Sequence, residues 1–178
     1  GEDQWIRIGD VYRKNWRALE GDLVFPIVLI RESILQANID LLARWCSEHG
    51  VSLAPHVKTP LAPQIAVRQL AAGAWALSVA TVHQAVVMRR LGAKRLLMAN
   101  QLLDARALRW IASELSAGPD FQFMCLVDST VGVDLMEEAR KDRGFNGQLE
   151  VLWELGATGG RRGGRGAGFR ATTPGSVV

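Results

Sequence analysis

One lysine stands where a reactive side chain could be held. The stretch Val51–Pro60 reads VSLAPHVKTP, an apolar run that meets a proline and then presents His56 and Lys58. A run this short, between Gly50 and a proline, favours a buried strand over 51–56 rather than a helix. Lys58 then lies just past the carboxyl end of that strand, which is the edge where parallel α/β folds collect active-site groups.

A lysine at a strand end has two interpretations. If Lys58 loses hydration, its pKa falls and the neutral amine can form a Schiff base with an aldehyde. Alternatively, Lys58 is a solvated loop residue, which is the usual state of a lysine. The elements around it must decide between the two.

Strand and helix patterns alternate along the chain. Apolar runs predict strands over 23–30, 51–56, 75–80, 95–99, 121–127 and 149–155, although Pro26 weakens the first of them. Capping residues and helical spacing predict helices that begin near Ser33, Pro63, Val82, Asp104 and Val131. This order predicts right-handed βαβ units and about five parallel strands after the N-terminal one. A complete (β/α)8 barrel needs about 250 residues, so we expect an open sheet or the first part of a barrel.

The composition is that of a globular protein. The 178 residues are 48% hydrophobic and 22% charged, with a formal net charge of +3. Cys46 and His49 form a C-x-x-H fragment without a second pair nearby, and Cys125 is far away, so we expect no metal site in this chain. Reduced thiols and the lack of an apolar stretch near the roughly 20 residues of a membrane span predict a cytoplasmic protein. For the main part of the chain we expect neither a membrane nor a nucleic acid as a partner.

Polar residues follow successive predicted strands, as a ligand site at one sheet edge requires. Beyond His56 and Lys58 they are Thr81, His83, Asn100, Gln101, Asp128 and Ser129. Thr81, and either Asp128 or Ser129, could instead be simple helix caps. Both interpretations stay open at this point.

The end of the chain differs in character. Residues 159–165, GGRRGGR, follow a predicted strand, and their backbone N–H groups could form an anion-binding nest. An arginine–glycine segment of this kind can also bind RNA weakly. We expect residues 166–178 to be a flexible tail, because they offer little apolar surface to offset the entropy of ordering.

The motif around Lys58 also resembles a known family. LAPHVKT is similar to the pyridoxal-phosphate lysine motif of the D-serine dehydratase and D-threonine aldolase group, whose N-terminal barrel is of the alanine racemase type (fold-type III). Further blocks resemble that group in the same order: QLAAGAWALSVATVHQA, LLMANQLL, FQFMCLVDS and VLWELGATGGRRGGR. The likeness is closest to the branch named amino acid deaminase or D-serine deaminase-like. It implies a partial (β/α)8 barrel over 23–165 after an N-terminal extension, 1–22.

The resemblance also implies chemistry. Lys58 would bind pyridoxal 5′-phosphate as a Schiff base and remove the Cα proton of a small D-amino acid, whose carbanion the protonated cofactor stabilises. His56 and Arg161 would lie near the cofactor, with Arg161 reaching its ring oxygen. A D-serine dehydratase releases pyruvate and ammonia, whereas an aldolase cleaves Cα–Cβ and a racemase returns the proton. The sequence leaves these three reactions open.

The chain departs from that group at its end. Arg162 and Gly164 stand where the group has a smaller and an apolar residue, and the likeness stops after Arg165. The later strands that hold the cofactor phosphate are missing, as is the β-domain whose His and Cys ligands bind a divalent metal, zinc, in full-length relatives. We therefore expect little turnover from this chain alone and a homodimer only in a full-length form. A non-catalytic cofactor carrier, an RNA-associating protein and a fragment without its own function are the alternatives.

Overall fold

The computed structural model of this chain describes residues 5–147, 149–154 and 168–170. The chain divides into two units, Gly1–Leu35 and Gln36–Val178. Five α-helices are present in the described residues: α1 Glu32–Glu48, α2 Pro63–Ala71, α3 Val82–Arg90, α4 Ala105–Ala117 and α5 Thr130–Asp142. The strands described are β1 Leu77–Val79, β2 Arg95–Gln101, β3 Gln122–Val127, β4 Glu150–Glu154 and β5 Gly168–Arg170.

The first unit contains two short 3-10 helices, Ile8–Lys14 and Ala18–Glu20, and no strand among its described residues. The predicted strand over 23–30 is therefore wrong. Val24 and Val28 are 90% and 92% exposed. An apolar run becomes a strand only when its backbone groups find a partner, and Pro26 has no N–H to offer. The apolar pattern of this run does not show whether such a partner exists.

The second unit confirms the predicted fold class. Its sheet has the order β1-β2-β3-β4-β5, in which β1 to β4 are parallel and β5 pairs antiparallel with β4. β5 comes from 168–170, which the sequence assigns to the flexible tail, and it covers the open backbone edge of β4. The rest of that tail lies outside the described residues. The result is a parallel α/β sheet of the partial-barrel kind.

The predicted strand 51–56 is a second correction. Only His56 pairs with the sheet, through an isolated parallel bridge to Ser78. Pro55 cannot donate to a ladder hydrogen bond, so regular pairing is interrupted just before this bridge. The segment nevertheless lies beside β1, as described below.

The two faces of the sheet have different surroundings. Strand residues at alternate positions and residues of the helices form one buried cluster. Its strand members include Leu77, Val79, Leu96, Met98, Phe123 and Cys125, and its helix members include Ala85, Leu108, Ile111 and Met136. Because side chains alternate across a strand, the residues between them lie on the opposite face, among them Ser78, Leu97, Met124 and Leu126. We call these the helix face and the inner face. The sequence predicts a core face of α4 formed by Leu108, Ile111, Ala112 and Leu115; the first three are buried, and Leu115 is partly buried.

Removing a buried side chain on the helix face should destabilise the fold. Leu96 in β2 is 0% exposed, whereas Leu103, in the loop after β2, is 52% exposed. We expect Leu96→Ala to lower the free energy of unfolding by about 2–5 kcal/mol, because it removes transfer energy and leaves a cavity. Leu103→Ala, the matched control, should cost much less. Urea denaturation measures both, and equal losses would contradict this assignment of the core.

The thiol of Cys125 should make stability fall at alkaline pH. Burial in β3 raises the pKa of Cys125 from 9.0 to about 12. The unfolded chain then releases this proton above pH 9.0 while the folded chain keeps it. Stability is therefore lost as the pH rises towards about 12, by up to about 1.4 kcal/mol per pH unit. Denaturation of Cys125→Ala should show a weaker decline above pH 9.0 than the parent, and identical slopes would refute it.

Candidate active site at the carboxyl edge of the sheet

Backbone hydrogen bonds tie the chain before Lys58 to β1. The amide of Trp75 donates to the carbonyl of Leu53 at 2.8 Å, and the amide of Ser78 donates to the carbonyl of Pro55 at 2.8 Å. The amide of Val57 in turn donates to the carbonyl of Ser78 at 3.0 Å. Lys58 begins the turn that follows, so it lies at the carboxyl edge of the parallel sheet.

The side chain of Ser78 adds a fourth bond to this junction. Its hydroxyl donates to the carbonyl of Ala54 at 2.7 Å, and the residue is only 2% exposed. A buried hydroxyl and a carbonyl thus satisfy each other. Sequence reasoning missed this residue, although a serine inside the apolar run WALSVA was the available signal.

Val57 decides the face on which His56 lies. It is 2% exposed and belongs to the helix-face cluster. His56 is adjacent to Val57 in the extended chain, so its side chain lies on the opposite, inner face. Lys58 follows Val57 at the start of the turn. His56 and Lys58 are both exposed. The burial that would dehydrate Lys58 is therefore not supplied by the described residues.

Two of the polar residues after strands are helix caps. The Thr81 hydroxyl accepts from the amide of Gln84 at 3.4 Å, at the start of α3. The Ser129 hydroxyl accepts from the amide of Gly132 at 3.4 Å, at the start of α5. The capping interpretation is confirmed for these two residues. His83 lies within α3 and is exposed.

The end of β2 is different, because its ladder is irregular. Asn100 donates from Nδ2 to the carbonyl of Ala80 at 3.3 Å, and its Oδ1 accepts from the amide of Gln101 at 3.0 Å. The carboxamide thereby joins the end of β1 to the end of β2 where backbone pairing is interrupted. Asn100 and Gln101 thus lie at the same edge as Lys58, as predicted.

Other predicted features are not brought to this edge. Arg161 and the segment 159–165 lie outside the described residues, so the predicted contact of Arg161 with the cofactor stays a prediction. Within the described part of the chain, no group of three or more His, Cys, Asp or Glu side chains could hold a metal ion. No helix in this part is long and apolar enough to cross a membrane.

A groove of about 690 Å³ lies at the opposite, amino edge of the sheet. Trp75, Lys94, Arg95 and Gln122 are among its lining residues. Arg95 donates from Nε to Gln122 Oε1 at 2.7 Å, and its guanidinium is 5.6 Å from the centre of the Trp75 ring. The groove is separated from Lys58 by the length of the strands and forms no part of the candidate site.

These features define an α/β protein of the partial-barrel class with a lysine at the carboxyl edge. No protein-family model matches the chain. A D-threonine aldolase of an Arthrobacter species is 25% identical over 138 residues, which are 78% of this chain and 35% of the relative.

Two solved structures agree with this likeness. D-threonine aldolase from Filomicrobium marinum superposes with a TM-score of 0.69 at 26% identity, covering 79% of this chain and 37% of that one. A mutant D-threo-3-hydroxyaspartate dehydratase in its metal-free form gives 0.65 at 27% identity, covering 75% and 34%. The chain is homologous to these lyases and spans about a third of their length.

Ser78 should be needed to hold the Lys58 segment against β1. In Ser78→Ala the carbonyl of the partly buried Ala54 loses its donor, so we expect the free energy of unfolding to fall by about 0.5–1.5 kcal/mol. Hydrogen exchange at the Val57 amide should also become faster. Ser113 is the matched control, because its hydroxyl donates to the carbonyl of Arg109 at 2.9 Å within α4. Unchanged exchange at Val57 in Ser78→Ala would show that the hydroxyl does not hold this segment.

Proposed function

We propose that this chain is the lysine-bearing part of a pyridoxal 5′-phosphate-dependent lyase that acts on D-amino acids with a hydroxyl group on Cβ. The observation that carries the proposal is the position of Lys58, an exposed amine at the start of the turn at the carboxyl edge. D-threonine and D-threo-3-hydroxyaspartate, the amino acids that appear in the names of the homologues, both carry a hydroxyl group on Cβ. D-serine, which the motifs favour, shares it too.

The residues at this edge suit an aldehyde cofactor. A Schiff base requires a primary amine that the aldehyde can reach, and Lys58 is exposed on a turn held in place by β1. His56 lies two residues earlier, where its imidazole can contact the bound group. Arg161 is proposed to contact the ring oxygen of the cofactor.

Pyridoxal phosphate supplies an electron sink for the bonds at Cα of an amino acid attached to it. The chain supplies the proton chemistry. With the cofactor bound, the free amine of Lys58 would take the proton from Cα of the substrate. The two edges of the sheet separate this chemistry from the amino-edge groove.

Two fates of the substrate fit the same site. A dehydratase would remove the Cα proton of the substrate and expel its Cβ hydroxyl as water, and hydrolysis would give a 2-oxo acid and ammonia; D-serine would yield pyruvate. An aldolase would instead remove the proton of the Cβ hydroxyl, break Cα–Cβ and protonate Cα, which would release an aldehyde and glycine. The sequence motifs favour the dehydratase of D-serine, and the homology to D-threonine aldolase favours the second.

We also propose a cytoplasmic location and, for the full-length protein, a homodimer. Cys46 and Cys125 are both buried and unpaired, which suits a reducing compartment. Neither proposal bears on the assignment of Lys58.

Trapping with borohydride tests the role of Lys58. The protein is incubated with pyridoxal phosphate, the Schiff base is reduced to a stable amine, and the modified peptide is mapped by mass spectrometry. We expect modification at Lys58, and at least about a tenfold loss of labelling in Lys58→Arg, because a guanidinium does not form the adduct.

Lys141→Arg is the matched control for this experiment. Lys141 is also exposed, on α5, with its ammonium 3.6 Å from a carboxylate oxygen of Glu137. Labelling should be retained in this variant. Modification spread evenly over Lys58, Lys94 and Lys141, or surviving in Lys58→Arg, would refute the proposed function.

A further inference from the structure

The strand register singles out Gln101. β2 and β3 pair regularly up to Met98 and Cys125, but the next pair is Gln101 with Leu126. Two residues of β2, Ala99 and Asn100, are therefore extra. In a regular ladder Ala99 would stand opposite Leu126, so the bulge replaces an alanine by a glutamine at that position. Bulges of this kind are frequent beside active sites, where they redirect side chains.

The same register places Gln101 in a row next to Lys58. His56 pairs with Ser78, Ser78 with Leu97 and Leu97 with Met124, which is one row of the inner face. The next row lies two residues further along each strand. Gln101, Leu126 and Leu152 pair directly in this row. Ala80 and Lys58 follow Ser78 and His56 by two residues, just beyond the paired backbone, so they lie next to this row. The His56 segment and β2 are two strand spacings apart, about 10 Å.

The composition of this row is uneven. Between the two long polar side chains lies Ala80, whose side chain is a single methyl group. On the far side of Gln101 the row continues with two leucines. Among these described residues, the carboxamide of Gln101 is the polar group nearest to Lys58 along the row. It can both donate and accept a hydrogen bond, and it does so without adding charge.

We propose that Gln101 is a cofactor-contacting residue, whose carboxamide binds the polar ring substituents of the pyridoxal phosphate held by Lys58. This inference rests on the proposed function of Lys58. Asn100 has a separate part: its own carboxamide fixes the bulge by bonding Ala80 and the Gln101 amide. The bulge thus supplies one amide that shapes the edge and one that faces the ligand.

Spectroscopic titration with pyridoxal phosphate tests this assignment. We expect Gln101→Leu to raise the dissociation constant about tenfold and to weaken the visible circular dichroism of the bound ring, with labelling still directed to Lys58. Gln122→Leu is the matched control, since Gln122 is also a glutamine on the inner face but lies at the amino edge. Its dissociation constant should match that of the parent.

Urea denaturation tests whether each variant is folded. If Gln101→Leu is not folded, Gln101→Asn, which shortens the side chain by one methylene group, is titrated in its place. An unchanged dissociation constant and dichroism in the folded variant would overturn the role of Gln101 and leave Lys58 intact. An equal rise in Gln122→Leu would also overturn it. Failure to label Lys58 in the parent protein would overturn the proposed function and this inference together.

Discussion

The pairing of residues 53–57 with β1 is the constraint on which the candidate site depends. Pro55 has no N–H, so this segment cannot form a complete ladder, and the partly buried residues Leu53, Ala54 and Pro55 need other donors for their carbonyls. The amides of Trp75 and Ser78 and the Ser78 hydroxyl supply those donors. An unsatisfied buried carbonyl costs about 1–3 kcal/mol, a large share of the stability of a small domain. The segment that carries Lys58 is thus fixed by the strand beside it.

The alternation of side chains then separates packing from chemistry. Val57 packs in the helix-face core, and the adjacent His56 is therefore on the inner face. Because β1 to β4 are parallel, their carboxyl ends meet at one edge, and the polar residues that follow each strand collect there. Burial of Val57 thus fixes the side on which His56 lies, opposite the face on which residues of α2 to α5 pack.

Local patterns predicted what local interactions determine. The helices α2 to α5, the caps Asp104 and Ser129 and the strand-end position of Lys58 depend on short-range spacing and were predictable from it. The run 23–30 and the segment 51–56 were not, because strand formation needs a backbone partner that a single apolar run does not reveal. The bulge in β2 was equally hidden, since the register of Gln101 depends on its pairing with β3.

The Lys58 motif specifies some features of the proposed reaction but not which bond of the substrate breaks. Dehydration and aldol cleavage of a β-hydroxy amino acid both begin with an amino acid attached to the cofactor, and in the proposed function Lys58 acts at that attachment. The two reactions differ in which bond at Cβ breaks. Homologues of both kinds therefore share this part of the fold at 26% and 27% identity. If the proposed function holds, substrate and reaction specificity come from the groups that contact the Cβ hydroxyl rather than from Lys58.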